Sequence, residues 1–474
     1  MKYRFFEKDT HFYKNVFTLA LPIAAQSLIT IGVNMLDTIM LGNLSEDALS
    51  ATSLANSFIS IYQIFCMGLG MGASVPISRY YGMKKVGDDA DGASKALRQT
   101  VCLMLRLTLL LAALFAIATA LLPRVLMTMY TDEEPIIELG SIYFRWSVPT
   151  YFFLGASLTT TIALRSVRQV KLPLFVSIGA FFVNLLANYA FIFGKFGAPR
   201  MEIAGAALGT LLARIFEAVM ILGYLLLKDS EIGFRLKHML MSTRSLIKEY
   251  IRICIPVLIS DGILAIGNNT VAMVIGHLGK TFVTANAITA VTQQLSTVVV
   301  QGVSQAGAIV TGQTLGSGKR ERTMKQGYLF FGLGLGLGLI SALFITLSKN
   351  PIIESYTEVG PEARRIADQL MLAISLIIIF QATNSIMTKG VLRGGGDTKM
   401  LMLTDNIFLW LISIPLGLLA GFVLDFPPFW IYVCLKSDQI IKTGWAFLRL
   451  RGGKWIKKIS TGSAESNTAE MKEA

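Results

Sequence analysis

Charge is scarce in this chain. Only 15% of its 474 residues are Asp, Glu, Lys or Arg, where a water-soluble domain usually carries about 25%. An ordinary soluble globular protein is thereby excluded. Histidine is rarer still: His11, His238 and His277 all lie outside the centres of the apolar runs. The four cysteines, Cys66, Cys102, Cys254 and Cys434, each sit within an apolar run, with no disulfide framework and no zinc-ligand spacing. They read as buried spectators. No G-x-x-x-x-G-K-[ST] loop occurs anywhere, so ATP hydrolysis by this chain has no phosphate cradle to work with. The opening MKYRFFEKDTHFYKN is charged over too long a stretch for a cleavable signal peptide, and the apolar run after it is too long.

What the chain has in abundance is apolar sequence. Hydrophobic residues make up 53% of it, and mean hydropathy is +0.59. They gather in runs of roughly 20 residues, the length that crosses a bilayer as a helix. A β-barrel would show short alternating segments instead. The fold class is therefore an all-α polytopic membrane protein. Twelve helices are expected, at about 15–41, 48–80, 95–122, 137–162, 172–194, 203–227, 248–276, 283–314, 326–347, 365–390, 400–424 and 429–449. Lys436, Asp438 and Lys442 interrupt the last, which should turn a polar face inward or lie partly at the interface.

Alternate loops are basic. One set carries Lys84, Lys85, Lys95 and Arg98, then Arg165, Arg168 and Lys171, then Lys228 to Lys248, Lys319 to Lys325, and Arg393 with Lys399. The opposite loops, such as "GNLSED", "YTDEEP" and "DFPP", are far poorer in Lys and Arg. The positive-inside rule places the basic set and both termini in the cytoplasm, in a multi-pass cell-membrane protein. The net charge of +13 is then a topology signal, and no nucleic-acid partner is implied.

The chain also resembles itself. At a constant offset of 234, Pro22 matches Pro256, Asn34 matches Asn268, Gly42 matches Gly276, Gly68 matches Gly302, Gly82 matches Gly316 and Lys85 matches Lys319. "LRSVRQVK" after the fourth span mirrors "LRGGGDTK" after the tenth at offset 228. Six spans per half give two lobes of the same orientation. Their pseudo-two-fold would run along the membrane normal, with a substrate site near the midplane. The expected division is an N-lobe over 1–230, a cytoplasmic linker over 231–247, a C-lobe over 248–458 and a disordered cytoplasmic tail over 459–474.

Over about residues 12 to 458 these features resemble the multidrug and toxic compound extrusion (MATE) family. The paired halves carry the resemblance, with "MLDTIMLGNLS" in the first span, "LRSVRQVKLPLFV" leading to "NLLANYAFIFG", and "LRGGGDTK". It implies a secondary antiporter that expels drug-like organic cations in exchange for H⁺ or Na⁺, with two six-helix lobes arranged as a V. No cofactor is expected beyond the coupling ion, and no ATPase subunit. The partners expected are drug-like small molecules and the lipid bilayer, with the protein a monomer.

Within that frame one residue stands out. Asp37 lies inside the first apolar run, where an ionised carboxylate costs at least about 2.5–3.5 kcal/mol. The plainer reading is polar glue between helices; the functional one is ion coupling, since desolvation favours the neutral acid and lets it take up and release a proton. The resemblance points to coupling, as this is the family's N-lobe cation site. Asn184 and Asn188 are four apart on one helix face and could join it, or could be interhelical glue worth roughly 0.6 kcal/mol per bond. Some relatives carry an aspartate where this chain has Asn188, so a two-acid Na⁺ site in the N-lobe is not expected. Asn34, Asp261, Asn384 and Gln381 are secondary candidates. Asp261 lies just after Pro256, where a freed carbonyl could join it around a cation; it could equally be a helix-end aspartate. Asn384 stands in "FQATNS" where some relatives have an acid. No metal site is assigned. Arg214 and Glu217 should neutralise each other, and Arg106, Arg145 and Asp405 either find partners on other helices or snorkel to an interface. The glycines of "FFGLGLGLGLISALF" read as helix packing and not as a nucleotide loop.

Two other readings remain. A flippase for a lipid-linked precursor would want a strongly basic central cavity. A membrane-embedded enzyme would want converging His, Cys or paired carboxylates at one depth, and no such set is visible.

Overall fold

A computed structural model describes residues 9–87, 90–355 and 359–457; the expected tail over 459–474 lies outside them. Among the described residues there is no β-strand. The helices are α1 (Thr10–Gly42), α2 (Glu46–Val86), α3 (Ala90–Leu121), α4 (Pro123–Thr128), α5 (Glu134–Ser147), α6 (Thr150–Ser166), α7 (Lys171–Phe193) and α8 (Glu202–Leu227). After a 3₁₀ turn at Leu236–Leu240 come α9 (Arg244–His277), α10 (Lys280–Gly316), α11 (Arg320–Ser355), α12 (Pro361–Ser385), α13 (Thr398–Phe408), α14 (Ile414–Leu418), α15 (Pro428–Leu435) and α16 (Ser437–Arg451). Among the described residues ten helical stretches are long and apolar enough to cross a membrane, and the pair α5–α6, bent by 59°, makes an eleventh. The bend falls at Pro149, which has no backbone N–H to continue the ladder. This is a multi-pass membrane protein.

The expected twelfth helix over 429–449 is broken at Lys436 into α15 and α16. The break has a local cause. Pro415 cannot donate to residue 411, and the ladder of the eleventh span slips into π-helical register at Leu409–Ser413. Ser413 ends that segment, and its hydroxyl accepts from the Asp438 amide at 2.7 Å. The first turn of α16 is thus capped by a neighbouring helix. Its polar face turns inward, with Asp438 and Lys442 buried.

The chain forms two compact units. One holds the described residues up to Ala24 and those from Ile255 onwards; the other holds Ala25–Cys254. The divisions fall inside α1 and α9, within three residues of Pro22 and Pro256, and not in the connecting stretch between α8 and α9. In the first unit the start of α1 packs on the C-terminal helices: the Phe12 and Phe330 rings meet edge to face at 4.9 Å, and Gly302 lies against the Ala20 carbonyl and Ala24. In the second unit the start of α9 does the same with α2. Tyr250 donates to the Leu69 carbonyl at 3.3 Å, and Gly72 lies against Cys254.

The stretch between α8 and α9 is fastened to the second unit. Asp229, fully buried, accepts from the backbone of Ile232 at 2.9 Å and Gly233 at 3.1 Å and from Gln169 at 2.7 Å. Lys84 donates to the Glu231 carbonyl at 2.6 Å, and Gln99 to that of Ser242 at 2.7 Å. Arg106 finds its partners here, clasping the carbonyls of Met239 and of Met241, the latter at 3.0 Å. His238 accepts from the Arg235 amide at 2.9 Å. Desolvation, then the charges of Arg98, Lys237 and Arg235, hold it below the usual histidine range, which keeps it neutral for that role. Arg145 is exposed at the end of α5.

The glycine run of α11 is a packing face. A Cβ at Gly334 would meet the Thr383 Cα at 2.8 Å, and one at Gly338 the Ile379 Cα at 2.7 Å, while Gly336 faces open space. Gly338→Val should therefore force α11 off α12 and cost about 1–3 kcal/mol as an overpacked site. Gly336→Val should stay within about 0.5 kcal/mol of the parent. Thermal unfolding of the two purified variants decides; equal effects would mean that the face is not packed as described.

Candidate functional site

Three helices of the second unit build a polar core. On α1, Gln26 and Asp37 are three turns apart and share a face. On α7, Ser177, Asn184 and Asn188 recur at helical spacing, and α8 answers with Gly209, Arg214 and Glu217. The tight turn between α7 and α8 fixes the pair: Met201 donates to the Phe191 carbonyl at 2.8 Å, and Gly205 lets α8 rest on that same peptide.

At the centre, Asn188 Nδ2 donates to Asp37 Oδ1 at 2.6 Å and to Asn184 Oδ1 at 3.3 Å. Both amides are buried, and Asp37 is half-buried. The Asn188 carbonyl oxygen has no hydrogen-bond partner and lies against Gly209, where any Cβ would strike it. Asp37 makes no ion pair among the described residues. The cation whose field acts on it, Arg214, is bound instead to Glu217 at 2.7 Å. Tyr143, donating to Asn56 Oδ1 at 3.3 Å, lies within the field of both Asp37 and Arg214. A carboxylate held by neutral amide donors keeps lone pairs for a proton or a cation.

Farther along the same core, Gln26 donates to Ser177 at 2.7 Å and accepts from Arg165, which also feels the charge of Glu217. The first unit carries the counterpart: Arg393 binds Asp261 at 3.1 Å. Arg165 and Arg393 match at offset 228, and Gln26 and Asp261 lie at nearly equivalent places after Pro22 and Pro256. Asp261 is thus engaged by an arginine that recurs in both halves, and it sits in a different unit from Asp37.

The remaining candidates are dispersed. Asn34 is exposed, and its carbonyl accepts from Thr38 at 2.8 Å. Gln381 accepts from Gln293 at 2.9 Å, whose own oxygen accepts from Tyr432 at 3.2 Å. Asn384 donates to Gln439 at 2.8 Å, which donates in turn to Asp438 at 2.7 Å. Asp405 is buried 3.5 Å from Lys442. The inward polar face expected for Asp438 and Lys442, at i,i+4 in an apolar run, and the partner expected for Asp405 on another helix meet in this last cluster; their pairing with each other was not foreseen. Gly209 left no signal, because its role is to leave room for a residue on another helix.

A family model described as MatE matches residues 22–190 and 256–419. The chain is 27% identical over 452 residues to the probable multidrug resistance protein NorM of Thermotoga maritima, covering 94% of this chain and 93% of that one. It is 22% identical over 449 residues to the uncharacterized transporter YisQ of Bacillus subtilis, covering 94% and 95%. Among solved structures it is similar to an outward-facing multidrug resistance MATE family transporter (TM-score 0.82, 16% identity, 93% and 96% covered). It is also similar to a MOP superfamily transporter from Pyrococcus furiosus (TM-score 0.81, 18% identity, 93% and 96% covered). At these identities the structural likenesses establish the fold.

The Asn188–Gly209 contact can be tested directly. Gly209→Ala should push the amide off Asp37 and cost about 1–3 kcal/mol by overpacking. Shortening the amide in Gly209→Ala/Asn188→Ser should recover part of that loss, giving a non-additive cycle between contacting residues. Strict additivity in thermal unfolding would show that the two do not touch.

Proposed function

This chain belongs to the MatE family of membrane transporters, and from that premise we propose that it expels drug-like organic cations in exchange for H⁺ or Na⁺. Family members are transporters and not enzymes. The observation that carries the antiport reading is the Asp37 contact set: a half-buried carboxylate held by an amide, with its nearest influential cation tied up by Glu217. Such an acid gains most from an exchangeable partner, whether a proton, a metal cation or a substrate ammonium. A coupling cation arriving from outside binds Asp37 and weakens its hold on an organic cation. The substrate leaves outward, and alternating access delivers the coupling cation to the cytoplasm. The drug class rests on relatives named for multidrug resistance in Thermotoga maritima and Burkholderia vietnamiensis.

Asp37→Asn keeps size and hydrogen bonding but cannot exchange a proton. We expect it to insert normally and to fail to drive substrate against its gradient in proteoliposomes given ΔpH and ΔNa⁺ separately. Asp261→Asn, which loses only an anchor to Arg393, should leave measurable efflux. Accumulation by Asp37→Asn equal to the parent's would reduce this aspartate to helix glue.

Both termini are proposed to be cytoplasmic, from the basic loops that accompany them. Reporter fusions at Lys2 and Ala474 should both read the cytoplasm; an external signal at either end would break the twelve-span reading.

A further inference from the structure

Lys442 is 2% exposed, in the middle of the helical core of the first unit. Its ammonium lies 2.9 Å from Asp438 Oδ2 and 3.5 Å from Asp405 Oδ1. Polar side chains surround the two acids. Ser413 donates to Asp438 Oδ1 at 3.1 Å, Gln439 donates to Oδ2 at 2.7 Å, and Ser260 reaches Asp405 Oδ2 at 3.5 Å. Asn384, 6% exposed, donates its amide hydrogen to Gln439, yet its carbonyl oxygen is buried without a partner. Two carboxylates facing one buried position are oxygen ligands of the kind that hold a hard cation. Here a lysine stands where the cation would.

The surrounding charges complete the balance. Lys436 acts on Asp438 and Lys442 and reaches Asn268 Oδ1 at 3.4 Å. Next to Ser260, Asp261 is neutralised by Arg393 at 3.1 Å. Asp397 is held by Arg449 at 2.7 Å and Lys457 at 3.7 Å. Each buried aspartate of the first unit therefore has a basic side chain of the chain itself beside it, whereas Asp37 has an amide. Asp438 and Lys442 also lie beyond the segments that the family model matches.

We propose that Lys442 is a tethered surrogate cation, permanently filling a cation position between Asp405 and Asp438, so that the first unit takes up no coupling ion. This rests on the antiport reading above and adds a stoichiometry to it: one coupling cation per substrate, exchanged at Asp37. An ammonium on a four-carbon stem stays with the chain through the whole cycle, so it offsets one of the two negative charges, with Lys436 beside them, without carrying charge across the membrane.

Removing the tether should turn the cluster into an exchangeable site. The test uses the full-length protein in an Asp37→Asn background, which silences the other position, and reads thermal unfolding in choline, Na⁺ and methylammonium chloride. The background alone should melt at one temperature in all three salts. Adding Lys442→Ala should lower that temperature by about 3–5 °C in choline, as a buried pair is broken. Na⁺ or methylammonium, a detached copy of the lysine head, should restore at least half of the loss. Lys442→Arg should respond to neither salt, and Asp405→Asn/Asp438→Asn added to Lys442→Ala should abolish the response. Lys442→Met, which keeps more volume, is purified in methylammonium as the second tether-less variant. Salt-independent melting of the tether-less variants, their failure to fold even in methylammonium, or a Na⁺ response with Lys442 intact would each overturn the proposal. So would two coupling cations per substrate in the parent protein. Coupling itself is judged by Asp37→Asn transport, so either reading can fall while the other stands.

Discussion

A carboxylate inside a lipid-embedded bundle has to be answered by the protein, because no bulk water is there to do it. This chain answers in two ways. In one unit Asp37 receives an amide hydrogen from Asn188. In the other, Asp261, Asp397, Asp405 and Asp438 receive guanidinium or ammonium groups. An amide stabilises the ionised acid but leaves its charge in place, whereas a fixed cation cancels it. The functional asymmetry proposed for the units rests on that difference, and the same contacts tie helices together: Asn188 of α7 reaches Asp37 of α1, and α16 is pinned to α13 through Lys442.

The internal repeat makes the asymmetry legible. Prolines, the Asn34/Asn268 pair and the arginine after the fourth span of each half have kept their places. What changed is what that arginine finds: Gln26 in one half and Asp261 in the other. The scaffold has been kept while the charge balance was rewritten around it.

The spans and the shared face of Asn184 and Asn188 were readable because they are local. Each follows from hydropathy or from helical spacing within one segment. The bend at Pro149, inside the helix expected over 137–162, was not. Asp37 was readable because a charge in an apolar run is conspicuous on its own. The Lys442 cluster was not, since its residues come from three separate segments, Ser260 from one, Asp405 and Ser413 from a second and Asp438 from a third, and the slipped ladder that presents Ser413 depends on Pro415. Arg106 was ambiguous for the same reason: its partners are backbone carbonyls more than 130 residues away, and a carbonyl leaves no trace in side-chain identity. Gly209 belongs to this class too, as an absence that matters only opposite Asn188.

The division of α1 near Pro22 and of α9 near Pro256 bears on where such a chain can be cut. Each unit is closed by the opening turns of a helix whose remainder belongs to the other unit. A single half, cut between α8 and α9, would lack the segment that carries Phe12 or Tyr250 and would leave the place where that ring packs unfilled. The two units therefore cannot be produced as independent domains by cutting at the connection between α8 and α9; the cuts that respect them fall inside α1 and α9.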